Sequence, residues 1–218
     1  ASTIYARIGL PTSSGMTWGA ISEFGNRAGL ASVAISGTHI VATSGSLSIF
    51  TGTNPIYEMS RPYSGLEIEG NNRSGQLTNS GGAISSGVVY DQSIDAFIFM
   101  FFGTATSLRG RASRYTGAGA PTSGSMIVAG TSGLGFGGQA LKIQGVSVGA
   151  GVAAYTFADN LFSQRIMTLS CDVNLAVTAG NLNQVAGSDG ATVRAPSRIA
   201  YMPQANAVAV VMLDGVVR

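Results

Sequence analysis

Charge is scarce in this sequence. Its 218 residues carry 10 acidic and 12 basic side chains, 10% in all, against roughly 25% in an ordinary soluble protein. The formal net charge is +2. Tight non-specific nucleic-acid binding needs a basic stripe that releases counterions from several phosphates. The sequence has no such stripe, so no nucleic-acid partner is expected. The pI of 8.9 reflects a small imbalance, not a basic face. Lysine is almost missing: Lys142 stands alone beside eleven Arg. Guanidinium groups make planar, multi-donor hydrogen bonds and hold water less tightly than ammonium. That skew suits protein contact surfaces, and codon bias in a GC-rich genome would produce it equally well.

Cys171 is the only cysteine, which excludes an internal disulfide. Stability must then come from packing or assembly. Within Leu169-Ser-Cys-Asp-Val173 it reads as a buried structural thiol. With one His and one Cys, zinc would need carboxylates, and no usual ligand spacing is present. No metal or other cofactor is expected. The first residues show no basic region followed by an apolar run, so no secretory signal is expected. The longest apolar run, Ala96-Phe-Ile-Phe-Met-Phe-Phe102, is far shorter than the roughly 20 residues of a membrane helix. Membrane insertion is not expected. The run reads as a strand buried on both faces.

Glycine, serine, threonine and apolar residues fill the space that charge leaves. There are 31 Gly, 26 Ser and 17 Thr, and 45% of the chain is hydrophobic. That apolar content excludes a disordered chain. The glycines have no three-residue period, which excludes collagen. Helical periodicity is nearly absent, and alternation with a period of two is widespread. Val33 and Ile35, Leu66 and Ile68, Val88 and Tyr90, Leu141 and Ile143, Val146 and Val148, and Val208, Val210 and Met212 follow it, as do Val173, Leu175 and Val177. Turn-forming clusters separate these runs, among them Ser36-Gly-Thr38, Gly70-Asn-Asn72 and Ser188-Asp-Gly190. Many short strands with close turns predict an all-β fold: sandwich, barrel or propeller.

A degenerate unit recurs about every 50–60 residues, the size of a four-stranded propeller blade with its loops. It consists of an apolar strand, a small polar turn and a second apolar strand. The first hairpins are expected at Ala31–Ser36 with His39–Ala42, and at Gly87–Asp91 with Ala96–Phe102. Two more are expected at Gly151–Tyr155 with a strand around Gln164–Ser170, and at Ser197–Tyr201 with Ala207–Leu213. Residues 1–218 thus read as one all-β, propeller-like domain, with a β-sandwich or jelly roll as the alternative. Its repeats would cover 30–82, 83–145, 146–195 and 196–218. Residues 1–29 would supply outer strands to the last unit, removing exposed sheet edges.

Two of these units carry a resemblance. Tyr90-Asp-Gln-Ser-Ile-Asp95 before an apolar strand, and Arg198-Ile-Ala-Tyr-Met-Pro-Gln-Ala-Asn206 before Ala207-Val-Ala-Val-Val211, resemble propeller-like repeats of bacteriophage tail-fibre and tail-tip proteins. The resemblance implies a virion structural or receptor-binding role, with no catalytic residues to carry over.

Two motifs suggest enzymes and read better as structure. Gly133-Leu-Gly-Phe-Gly-Gly138 satisfies the dinucleotide pattern, but alternating Val146 and Val148 follow where a helix should open. Gly145-Val-Ser-Val-Gly149 satisfies the nucleophile-elbow pattern, but His39 lies upstream and Ser147 sits inside a strand. The order His39, Asp91 or Asp95, Ser147 matches chymotrypsin-like proteases, whose flanking segments are absent here. No catalytic residue is expected. Glu67 and Glu69 read as a solvated strand face. Asn72-Arg-Ser74 is a glycosylation sequon of little weight without a secretory signal.

The contact candidates are aromatic and cationic. Arg109 and Arg111 share a strand face, with Arg114 and Tyr115 just beyond. This densest cationic cluster would pair with a neighbour's carboxylates or an acidic glycan, or form a charged edge. Trp18, the only Trp, would stack on a sugar, anchor an interface or pack in the core. The expected function is that of a non-enzymatic virion structural protein: a tail-fibre, tail-tip or decoration component at the particle surface or tail. It would homo-oligomerise, assemble with other virion proteins and engage a host glycan or protein. A lectin-like carbohydrate-binding module and a capsid or coat subunit are the alternatives.

Overall fold

The computed structural model describes residues 2–27, 30–44, 56–70, 73–77, 85–104, 107–117, 119–131, 143–158, 164–186 and 198–211. They form an all-β protein, with no α-helix among the described residues and one 3₁₀ turn at Pro203–Ala205. The sheets are small and antiparallel.

Three five-stranded sheets share one plan. The first holds β5 (Leu30–Ile35), β6 (His39–Ser44), β7 (Tyr57–Ser64), β8 (Glu67–Ile68) and β9 (Arg73–Gln76). The second holds β10 (Ser86–Asp91), β11 (Ala96–Thr104), β12 (Ser107–Arg114), β13 (Thr122–Ser123) and β14 (Ile127–Thr131). The third holds β15 (Gln144–Gly149), β16 (Val152–Ala158), β17 (Gln164–Cys171), β18 (Val177–Ala179) and β19 (Asn183–Ala186). In each, three strands meander, and the outer position is split. A short strand pairs with the end of the third strand and a later one with its start.

The N-terminal residues repeat the outer half of this plan. They form β1 (Ser2–Ala6), β2 (Gly9–Thr12), β3 (Gly15–Trp18) and β4 (Ser22–Arg27). β2 pairs with β3 and β1 with β4. The amide of Gly19 donates to the Ile8 carbonyl as Gly124 does to Ala112 and Gly180 to Thr168. The C-terminal hairpin, β20 (Arg198–Met202) and β21 (Ala207–Val211), repeats the inner half. Among the described residues these two fragments are separate two-stranded sheets.

The sheets pack face to face in chain order. β11 lies at the centre and is buried on both faces, as its unbroken apolar run predicts. Phe97, Phe99 and Phe101 meet Val41, Ile56 and Leu77 of the first sheet. Ile98, Met100 and Phe102 meet Ala153, Tyr155, Phe157 and Leu169 of the third. Ile8 and Phe24 of the N-terminal fragment cover Ile40 and Met59 on the far side of the first sheet. β20 packs against β15 of the third.

The third unit differs from its sequence reading. Of Gly151–Tyr155, residues from Val152 onward fall in the second strand, not the first. The first strand starts at Gln144, and the turn is Gly149-Ala-Gly151, with φ of 92°, 52° and 77°. Hydrogen bonds also separate the tyrosines. Tyr90 donates to Asp95 and Tyr201 to Asn206, at 2.9 and 3.0 Å. These two partners adopt φ of 48° and 46° in their turns. Tyr155 is fully buried and donates to the Ile98 carbonyl at 2.7 Å instead. Gly133–Gly138 and Leu141 lie outside the described residues.

Candidate functional site

The five contact candidates do not gather in one place. Trp18 sits on β3 of the N-terminal fragment, 49% exposed, so it is not a core residue. The Arg7 guanidinium stacks 5.0 Å above its ring and donates through Nε to Gly19 O at 2.9 Å. Arg109, Arg111 and Arg114 lie on β12, which has β11 on one side and β13 and β14 on the other. They therefore do not form a charged sheet edge. Arg114 is a staple between turns: it donates to the carbonyls of Asp95 and Ile94, and to Val173 of the third sheet at 3.2 Å. Arg109 reaches Met126 Sδ.

Tyr115 lines a cleft, and the Arg111 charge is felt by Glu58 in its opposite wall. A cavity of about 360 Å³ opens between the first two sheets. One wall comes from β7 and β9: Glu58, Ser60, Arg73, Ser74 and Gly75. The other comes from the segment after β12: Tyr115, Ala120 and Pro121. Arg111 is opposite Phe99 in register, which directs it toward the first sheet. The Tyr115 ring is held by an edge-on contact with Phe97 at 5.3 Å and a tilted one with His39 at 5.8 Å.

The polar groups here are buried and poorly partnered. Glu58 is 4% exposed and Tyr115 7%. Glu58 Oε2, Tyr115 Oη and Arg111 Nε are buried with no hydrogen bond of good geometry, although the Tyr115 hydroxyl lies near enough to Glu58 for the two to act on each other. Burial raises the Glu58 pKa above the usual carboxylate value, against the pull of Arg111 and Tyr115. Burial and the Glu58 charge together push the Tyr115 phenol well up. Unsatisfied buried groups cost about 1–3 kcal/mol each. They are rare in native structures, and here two belong to residues lining one cavity.

Sequence reasoning missed Glu58. Its strand is buried on both faces near the start, so it lacks the alternation that would mark an inward charge. The available signal was its setting: a carboxylate between Tyr57 and Met59, in a strand whose other charge is Arg61.

The serine motif has a structural partner. Ser147 donates to Asp91 Oδ2 at 2.7 Å, and Ser93 donates to the other oxygen through its amide and hydroxyl. The Ser93 hydroxyl oxygen also accepts from the Gly151 amide. This network joins the second and third sheets. Burial opposes the Asp91 charge, but these hydrogen bonds outweigh it and hold the pKa below the usual value. The His39 ring nitrogens are taken by Thr38 and the Gly117 carbonyl. Glu67 and Glu69 are exposed. Among the described residues, no three His, Cys, Asp or Glu side chains group as metal ligands, and no helix is long and apolar enough to cross a membrane. Neither a protein-family model nor a curated protein matches the chain.

Proposed function

We propose that this chain is a non-enzymatic structural protein of a virus particle, a tail-fibre, tail-tip or decoration component, built as a four-bladed propeller. It would assemble with copies of itself and with other virion proteins, and would present a binding face to a host receptor. One observation carries the architectural part: the two terminal fragments are complementary halves of the sheet plan that the chain uses three times. Joined, β20 and β21 would supply the inner strands of a fourth blade and β1–β4 the rest. The apolar residues Val33, Ile35 and Met202, each at least 46% exposed, would gain cover from such closure. The low charge supports the assembly part, because the cores of permanent interfaces are depleted in charge.

Register makes the closure testable. Ile8 stands where Ala112 stands in the second sheet, and Ala209 where Ile98 stands. Since Ala112 pairs with Ile98, Ile8 should pair with Ala209. An Ile8→Cys/Ala209→Cys variant should form a disulfide within one chain on mild oxidation. Failure to cross-link, or links only between copies, would overturn the closed ring. For the assembly, negative-stain images and the solution mass should show a discrete ring or rod-like oligomer. A well-behaved monomer at high concentration would count against it.

A further inference from the structure

We propose that the cleft between the first and second sheets binds a saccharide through Glu58, Tyr115 and Arg73. This rests on reading the chain as a binding scaffold, and not on its assembly into a particle.

The cavity's size is at the small end of the roughly 300–1,000 Å³ of ligand clefts, with room for a pyranose ring. Its chemistry narrows the class. Glu58 offers an acceptor, Arg73 offers donors, and the Tyr115 hydroxyl can do either. A multiply charged anion would face the buried Glu58 carboxylate, and a cation would face the Arg73 guanidinium, with the Arg111 charge close enough to act on Glu58. A sugar's hydroxyls both donate and accept, so neighbouring hydroxyls can serve carboxylate, phenol and guanidinium together. Tyr115, Ala120 and Pro121 supply the apolar wall against which the C–H face of a sugar packs.

The site is built in advance. Phe97 and His39 fix the Tyr115 ring. Gly75 keeps the floor open: a β-carbon there would fall 2.8 Å from Glu58 Oε1. Glu58 and Tyr115, buried in the cavity wall with no well-formed hydrogen bond at Oε2 or Oη, are what a polar ligand would satisfy, as ligand sites pair few polar groups with an apolar lining.

Saturation-transfer NMR on the full chain, with methyl glycosides of glucose, galactose, mannose and N-acetylglucosamine, tests this. At least one should bind at millimolar concentration. Glu58→Gln and Arg73→Met should each weaken it about tenfold, and Trp18→Ala should leave it unchanged. Arg73 is exposed, so its variant tests the site independently of any change in stability at Glu58. Silence across the panel from folded protein would overturn the proposal. So would binding that survives both cleft variants, binding lost in Trp18→Ala, or a cleft that takes inorganic phosphate or ethanolamine in preference to every sugar. A monomer that binds sugar would sink the particle assignment and leave this site standing. An assembled oligomer that ignores sugar would do the reverse.

Discussion

Gly19 lies directly against the backbone of Leu66: a β-carbon on Gly19 would fall 1.9 Å from the Leu66 carbonyl oxygen. Gly124 of the second sheet meets Leu175 of the third at the same 1.9 Å. Gly19→Ala and Gly124→Ala should therefore both destabilise, by roughly 1–3 kcal/mol each, because rigid backbone cannot give way. Gly37→Ala, with nothing within 4 Å, is the control. Urea midpoints of the three variants check this. A neutral Gly19→Ala beside a damaging Gly124→Ala would break the equivalence of the N-terminal fragment with the second sheet.

Acid should act through Asp91. Its folded pKa lies below its unfolded value, near 3.9 for a free Asp. The stability it contributes is fully present above that value and is lost as pH falls through the folded pKa. Asp91→Asn should cost about 1–3 kcal/mol at pH 7, since it breaks a buried network. Its deficit against the parent should shrink below about pH 4. Thermal melts from neutral to acid pH read both effects, and a deficit that stays constant would refute the account.

Glu58 should behave in the opposite sense. Its folded pKa is raised, so its contribution is favourable below the unfolded value and is lost as pH rises through the folded pKa. Glu58→Gln should raise the melting temperature at pH 7, and the gain should disappear near pH 4.

Cys171 should be inert in the native protein. It is 6% exposed, and burial, with Asp172 beside it, pushes its thiol up to about 11. At pH 8 a disulfide reagent should label it slowly in buffer and at once in denaturant. Fast native labelling would mean that the third sheet opens locally.

Some of this fold could be read in the sequence because local pattern determined it. Ala96–Phe102 has no polar face, and only burial on both sides accommodates that. Ser36-Gly-Thr38 and Asp91–Asp95 are strong turn signals, and the hairpins they join were placed by them. The third hairpin was misread because Gly149-Ala-Gly151 carries no Asp or Asn. Tyr155 also imitates Tyr90 and Tyr201, although its hydroxyl serves a different sheet. The cleft was only half legible. Arg111 and Tyr115 stood out as a cluster, but Glu58 and Arg73 reach it from a different sheet. That juxtaposition depends on sheet packing, which no local pattern encodes.

The position of β11 also sets an order of events during synthesis. Phe97, Phe99 and Phe101 are met by a sheet already made when β11 leaves the ribosome. Ile98, Met100 and Phe102 must wait for Phe157 and Leu169. Until then the nascent chain carries a bare, β-prone apolar ribbon, the kind of segment that aggregates when folding stalls. Slow translation after Thr104, before the strand ending at Cys171 has emerged, should therefore lower soluble yield.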